Sequence, residues 1–284
     1  MKKIIYVLAM MIATYAIEAQ VKTPAPSPKA VLSQVVGLTD VTVEYSRPSA
    51  KGRVIFGDLV PFGKLWRTGA NANTTVSFSD DVVINGITLK KGKYAIYTTP
   101  KADMWEVIFY TTTDNWGNPE NWDEKKVAVL QNVDPIQLNN NVETFTIGIG
   151  NLTNDSATLD ISWEKTMVSV KFEVPTRKTA MASIDKVLAG ATANDYFSAG
   201  QYYLQSDGDL NKALEYLNKA IAMTKPGTDT PFWYLRQKSL IQAKMGDKQG
   251  AIATAKLSLA GAEKEKNDDY VKMNNDSIRE WSKK

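Results

Sequence analysis

Residues 41–45, VTVEY, set the fold class of the first half of the chain. Val41, Val43 and Tyr45 alternate with Thr42 and Glu44, and a period of two marks a strand with one buried face. From about Ala30 to Pro175 the pattern recurs: Val76 and Phe78, Tyr94 and Ile96, Trp105, Val107 and Phe109. It continues with Phe145, Ile147 and Ile149, then Leu159, Ile161 and Trp163, then Val168, Val170 and Phe172. Turn signals separate the runs. Asn85-Gly86 is a two-residue hairpin turn of the type that needs positive φ, and Lys91-Gly92 and Asp134-Pro135 mark others. About eight to ten strands at this spacing predict an all-β sandwich, jelly-roll-like in kind, over residues 30–175.

The pattern changes after Pro175. From about Thr179 to residue 284, small and aromatic residues recur at helical spacing. Asp209 and Asp247 are positioned to cap helices, and Thr230-Pro231 places a capping Thr before a Pro at the first helical position. Ala213, Leu217 and Ala220 follow Gly208-Asp209 as Ala251, Ala255 and Ser258 follow Gly246-Asp247, an offset of 38 residues. Small residues on the second helix of each pair let the first approach closely. This all-α half resembles tetratricopeptide helix pairs, whose unit is about 34 residues. The extra residues would lie in the linker Lys225–Thr230, with Lys264–Trp281 as a final capping helix.

At the other end, Lys2-Lys3, an apolar run from Ile4 to Ile17 and then Glu18-Ala19 have the layout of a secretory signal peptide, residues 1–19. Cleavage is expected after Ala19, which places the mature protein in the periplasm or outside the cell. A membrane anchor is the alternative, but the apolar core is shorter than the about 20 residues a spanning helix needs. No cysteine follows for lipid attachment, and no later stretch is apolar enough to span a membrane. Residues 20–29, QVKTPAPSPK, read as an extended leader. The chain has neither cysteine nor histidine. Disulfides, ordinary zinc sites and Ser-His-Asp or Cys-His catalysis are thereby excluded. Net charge is +3 without a long basic run, so nucleic acid is not an expected partner.

Two regions carry candidate chemistry. Among 28 lysines and six arginines, Arg47, Arg53 and Arg67 crowd into 21 residues. Arginine suits places where a planar fork must meet an anion or a carbonyl pair. With Lys64, Trp66, Asn71 and Asn73 they suggest a rim that recognises an anionic group or a sugar beside an aromatic floor. Alternatively, they tie long loops to carboxylates or backbone carbonyls. The second region is the loop 111–126, TTTDNWGNPENWDEKK, where Trp116 and Trp122 stand among polar and acidic residues. Exposed tryptophans beside amides are what a glycan-binding face uses; folded back, the same rings would be lids on the sandwich. Asp114, Glu120, Asp123 and Glu124 could hold calcium, but their spacing fits no EF-hand. A histidine-free glycosidase with paired carboxylates is an alternative function, although no two acids are marked as a pair. Neither a metal nor a cofactor is expected.

Ser46-Arg47-Pro48, Lys51-Gly52-Arg53, the run 61–75 PFGKLWRTGANANTT, Gly92-Lys93-Tyr94, Trp105–Phe109 and Asn115-Trp116-Gly117 together resemble the domain of unknown function 2911 family. That family consists of exported bacterial proteins, often with helical repeats after the β-domain, and has no established activity. The resemblance implies the two-part architecture and makes Arg47–Asn73 the shared site. Its helical end implies a protein or peptide partner, since helix arrays offer a concave groove.

Overall fold

The computed structural model describes residues 23–224 and 230–283, so the signal segment 1–19 and the linker residues 225–229 lie outside the described residues. Among the described residues ten strands form two antiparallel sheets. β1 (Lys29–Val36), β2 (Thr39–Ser46), β3 (Thr75–Phe78), β4 (Val82–Ile84) and β5 (Ile87–Leu89) are followed by β6 (Gly92–Thr99) and β7 (Trp105–Tyr110). β8 (Val127–Val133), β9 (Ile136–Gly150) and β10 (Ser156–Glu173) complete the set. One sheet has the order β1-β2-β3-β6-β7-β8, the other β5-β4-β10-β9. Asn85 and Gly86 join β4 to β5 with φ of 51° and 75°, the positive-φ turn that their sequence requires.

The inward alternating residues meet between the sheets, where Val43, Ile96, Trp105, Phe145, Trp163 and Phe172 are all buried. β6 and β7 depart from simple alternation. Ala95, Tyr97, Ile108 and Tyr110 on their outer face are buried too, because Leu65 and Trp122 from two long loops pack over them. A strand covered on both faces needs apolar residues on both.

The buried sets of β10 change parity, from Leu159, Ile161 and Trp163 to Val168, Val170 and Phe172. They belong to one 18-residue strand whose register against β9 shifts on both sides of Glu164, with Glu164 at φ +50°. A bulge returns the alternating face to the core after a one-residue slip. It also brings the Glu164 carboxylate to the backbone N–H of Ile55, 3.1 Å away, which anchors the loop leaving β2.

On the outer face of β2, Glu44 bonds to Lys29 and, at 3.1 Å, to Lys93. Those hydrogen bonds hold its carboxyl below the ordinary value of 4.5. A depressed folded-state pKa stabilises above the unfolded value and the stabilisation is lost as pH falls through the folded one. Glu44→Gln should therefore destabilise at pH 7 by no more than about 1 kcal/mol, since the pair is solvent-screened. At acid pH, where the wild-type carboxyl is protonated, urea midpoints of the two proteins should converge. An equal gap at both pH values would rule out the ion pair as its cause.

Among the described residues six α-helices follow: α1 (Thr176–Val187), α2 (Ala193–Gln205), α3 (Leu210–Ala222), α4 (Phe232–Lys244), α5 (Lys248–Lys264) and α6 (Asp268–Trp281). The first begins three residues before the expected start near Thr179. Asp209 caps α3 and Asp247 caps α5 through their carboxylates, as their spacing predicts. Thr230 does not cap α4; Pro231 itself is the N-cap residue, with φ −53° and no side-chain bond. Lys264 closes α5, and the last helix starts at Asp268. In the α2–α3 pair the close approach falls on Gly200 of the first helix: a Cβ there would lie 2.0 Å from Leu217 Cδ2 and 3.0 Å from the Ala213 carbonyl. Among the described residues, no helix is long and apolar enough to cross a membrane.

Candidate functional site

The loop from Arg47 to Thr74 covers one end of the sandwich and is tied down at its base. Arg47 N–H donates to the Pro28 carbonyl at 2.9 Å, Ala50 N–H to the Glu143 carbonyl at 2.8 Å, and Phe145 N–H to the Pro48 carbonyl at 2.9 Å. Trp66 exchanges two backbone hydrogen bonds with Thr98 of β6, at 2.7 and 2.9 Å. Its ring stacks on Trp163, with centroids 6.1 Å apart at 17°, and meets Phe145 edge-on at 5.4 Å. The aromatic floor expected from Trp66 is thus continuous with the core. Thr68, fully buried and β-branched, has φ +55°. Such an outlier costs energy that the surrounding bonds must hold. Its hydroxyl donates to Thr98 Oγ1 at 3.0 Å and its carbonyl accepts from Thr74 Oγ1 at 2.5 Å.

Above this floor lies an open cleft of about 700 Å³. Arg53, Trp66, Arg67, Asn71 and Trp116 line it, together with Lys51 and the leader residue Ser27. Arg53 is fixed by donating through Nε to the Ala50 carbonyl at 2.9 Å and through Nη2 to the Ser49 carbonyl at 2.7 Å. Arg67 donates through Nη1 to the Asn71 carbonyl at 2.9 Å. Both arginines do tie loops together, as the structural alternative holds, but onto neutral carbonyls. Among the described residues neither forms an ion pair, and no Asp or Glu lines the cleft. Their positive charge is oriented and not cancelled, the arrangement that attracts an anion.

Trp116 stands at the mouth, 77% exposed, and the residues beside it are clamped from below. Asn73 is buried. Its Oδ1 accepts from Asn115 N–H at 2.9 Å, and its Nδ2 donates to the Gly117 carbonyl at 3.3 Å and to the Tyr97 hydroxyl at 2.8 Å. Burial pushes the Tyr97 phenol above its ordinary value of 10.0, so it stays protonated and donates to the Gly117 carbonyl at 3.3 Å. Gly117 has φ +107°, and a Cβ there would stand 3.2 Å from Arg67 Nη1. The glycine lets the Trp116 loop lie against the guanidinium.

Not every expected residue reaches the cleft. Arg47 turns away and donates to the Phe145 carbonyl at 3.1 Å and to Thr146 Oγ1 at 2.8 Å, joining the loop to β9. Lys64 is exposed elsewhere on the loop. Trp122 is a lid: half-buried, it stacks on Tyr110 with centroids 4.5 Å apart and donates to Glu124 Oε1 at 2.8 Å. Lys51 lies within the Arg47–Asn73 stretch but was not singled out as a site residue, and Ser27 was not expected at the site at all. Lys51 sits at φ +52°, and Ser27 belongs to a leader that is pinned at its end by Asn71 Nδ2, which donates to the Ser27 carbonyl at 3.2 Å. Nothing local in the sequence marks the Ser27 contact. Among the described residues, no group of three or more acidic residues is placed to hold a metal ion.

These features define a class of protein: a two-sheet antiparallel β-domain with a cationic, tryptophan-edged cleft at one end, followed by helical hairpins. The chain belongs to the family described as protein of unknown function (DUF2911), whose model matches residues 27–172, just over half of its length. No curated protein and no solved structure matches it.

Proposed function

We propose that this is an exported, non-catalytic envelope protein whose β-domain captures an anionic small molecule or acidic glycan in the cleft. The observation that carries this reading is the pairing of Lys51, Arg53 and Arg67 with the exposed indole of Trp116, in a cleft whose lining includes no carboxylate. A sugar can stack its C–H face on an indole while its acid group meets a guanidinium. A glycosidase with paired acids has less support, since it needs two carboxylates facing one another across the reacting bond. The helical hairpins would bind a protein or peptide partner, and the signal segment would direct the chain to the periplasm or beyond.

The test is a thermal-shift panel on the full mature chain, with uronates, sulfated sugars, inorganic phosphate and neutral glycans. A ligand at about 100 times its dissociation constant adds about 2.7 kcal/mol, a shift of several degrees. Binding should weaken with salt and disappear in Trp116→Ala and Arg67→Ala. Hits confined to neutral compounds, or hits that survive both substitutions, would overturn the reading.

A further inference from the structure

Trp116 is the common wall of two depressions. One is the cationic cleft. The other, about 500 Å³, is also lined by Trp116, and there Asp114, Asn118, Glu120 and Asn121 contribute to its lining together with one cation, Lys126. The side chains of Asp114, Glu120 and Asn121 are exposed and make no hydrogen bond or ion pair among the described residues. The two depressions therefore differ in chemistry. One offers fixed donors with positive charge. The other offers two carboxylates and amide side chains against a single lysine, Lys126, so acceptors free to take hydroxyl or amide N–H donors predominate there.

We propose that the two depressions are consecutive subsites for one linear oligosaccharide in which an acidic sugar alternates with an uncharged one. This deepens the binding reading above and rests on it. The uronate carboxylate meets Lys51, Arg53 and Arg67. The chain crosses Trp116 with a sugar C–H face against the indole. The next unit, bearing hydroxyl or acetamido groups, donates to Asp114 and Glu120. A polymer of uronates alone would place a second carboxylate where two acids outnumber the one lysine, so the net charge it meets is its own sign. An entirely neutral oligosaccharide would leave the guanidiniums without an anion. A nucleotide is less well served: Trp66, the other ring partly open to the cleft, is committed to Trp163, Phe145 and Phe56, so among the described residues no second free ring lines the cleft with Trp116 to sandwich a base.

Titration calorimetry on the full mature chain with four probes tests this: glucuronate, tetragalacturonate, tetra-N-acetylglucosamine, and a tetrasaccharide alternating glucuronate with N-acetylglucosamine. The alternating tetrasaccharide should bind at least about tenfold tighter than each of the others. Trp116→Ala should remove that advantage. Asp114→Asn combined with Glu120→Gln should narrow the gap by letting tetragalacturonate bind more tightly; both positions are exposed, so folding is not at stake. Glucuronate binding with no gain for the tetrasaccharide would overturn the two-subsite arrangement and leave the anion-binding reading standing. Tighter binding of tetra-N-acetylglucosamine, or of tetragalacturonate in the unmodified protein, would overturn the alternation. No heat from any probe, together with a flat thermal-shift panel, would remove both.

Discussion

Asn73→Ala is expected to destabilise the β-domain by about 1–3 kcal/mol, because the truncation leaves a partly buried backbone N–H without its acceptor. The same substitution should weaken ligand capture, because Asn73 holds the two residues that flank Trp116. The carboxamide accepts from Asn115 N–H on one side and donates to the Gly117 carbonyl on the other. Tyr97 keeps Asn115 Nδ2 as a donor, at 3.2 Å, and can still donate to Gly117, so the phenol is not the main loss. The loss falls on Asn115 N–H, whose acceptor vanishes, and on the space beneath the loop. Urea unfolding followed by far-UV circular dichroism measures the first effect, and calorimetry with an acidic saccharide the second. Asn73→Asp separates them in part: it retains the acceptor for Asn115 and loses the donor to Gly117. If alanine left both the unfolding midpoint and the affinity unchanged, the clamp would have no role in presenting Trp116.

The two-sheet architecture was legible because its strands obey one simple constraint. Val41, Val43 and Tyr45 alternate and are all buried, and the same holds for Trp105, Val107 and Phe109. The change of parity between Trp163 and Val168 was also present in the sequence, although it reads there as two strands. Only the register shift at Glu164 shows one long strand re-phased by a bulge. Tyr97 and Tyr110 were harder to place, since their burial comes from a loop that folds across the sheet and leaves no periodic trace in β6 or β7.

The candidate site was legible in composition and not in geometry. Arg47, Arg53 and Arg67 look alike in sequence, yet Arg47 is consumed by β9 while the other two face the cleft. Trp116 and Trp122 share one loop and similar neighbours, and one is exposed while the other is a lid. In each case the outcome depends on partners distant in sequence: Phe145 for Arg47, Tyr110 for Trp122. Capping runs the other way. Asp209 and Asp247 bind N–H groups two or three residues ahead, so the helix starts they mark could be read directly.

Trp66→Ala is expected to cost about 3–5 kcal/mol, the range for deleting a large aromatic from a packed position. Trp66 is half-buried, which favours the lower end, but its ring carries the contact between the cleft and the core. It stacks on Trp163, meets Phe145 and Phe56 edge-on, and its backbone is paired with Thr98 in both directions. Removing the ring would open the cleft floor onto Trp163 and Phe145. Trp66→Phe retains an edge contact and should cost less, since part of the volume is kept. Trp116→Ala makes the decisive contrast. Its ring is 77% exposed, so the change should move stability by no more than about 0.5 kcal/mol while it abolishes capture of the acidic saccharide. Guanidinium unfolding followed by circular dichroism, run beside calorimetry, places the two variants on separate axes: Trp66 on stability, Trp116 on binding. A Trp116→Ala protein as unstable as Trp66→Ala would mean that the exposed indole is structural, and the cleft would lose its recognition element.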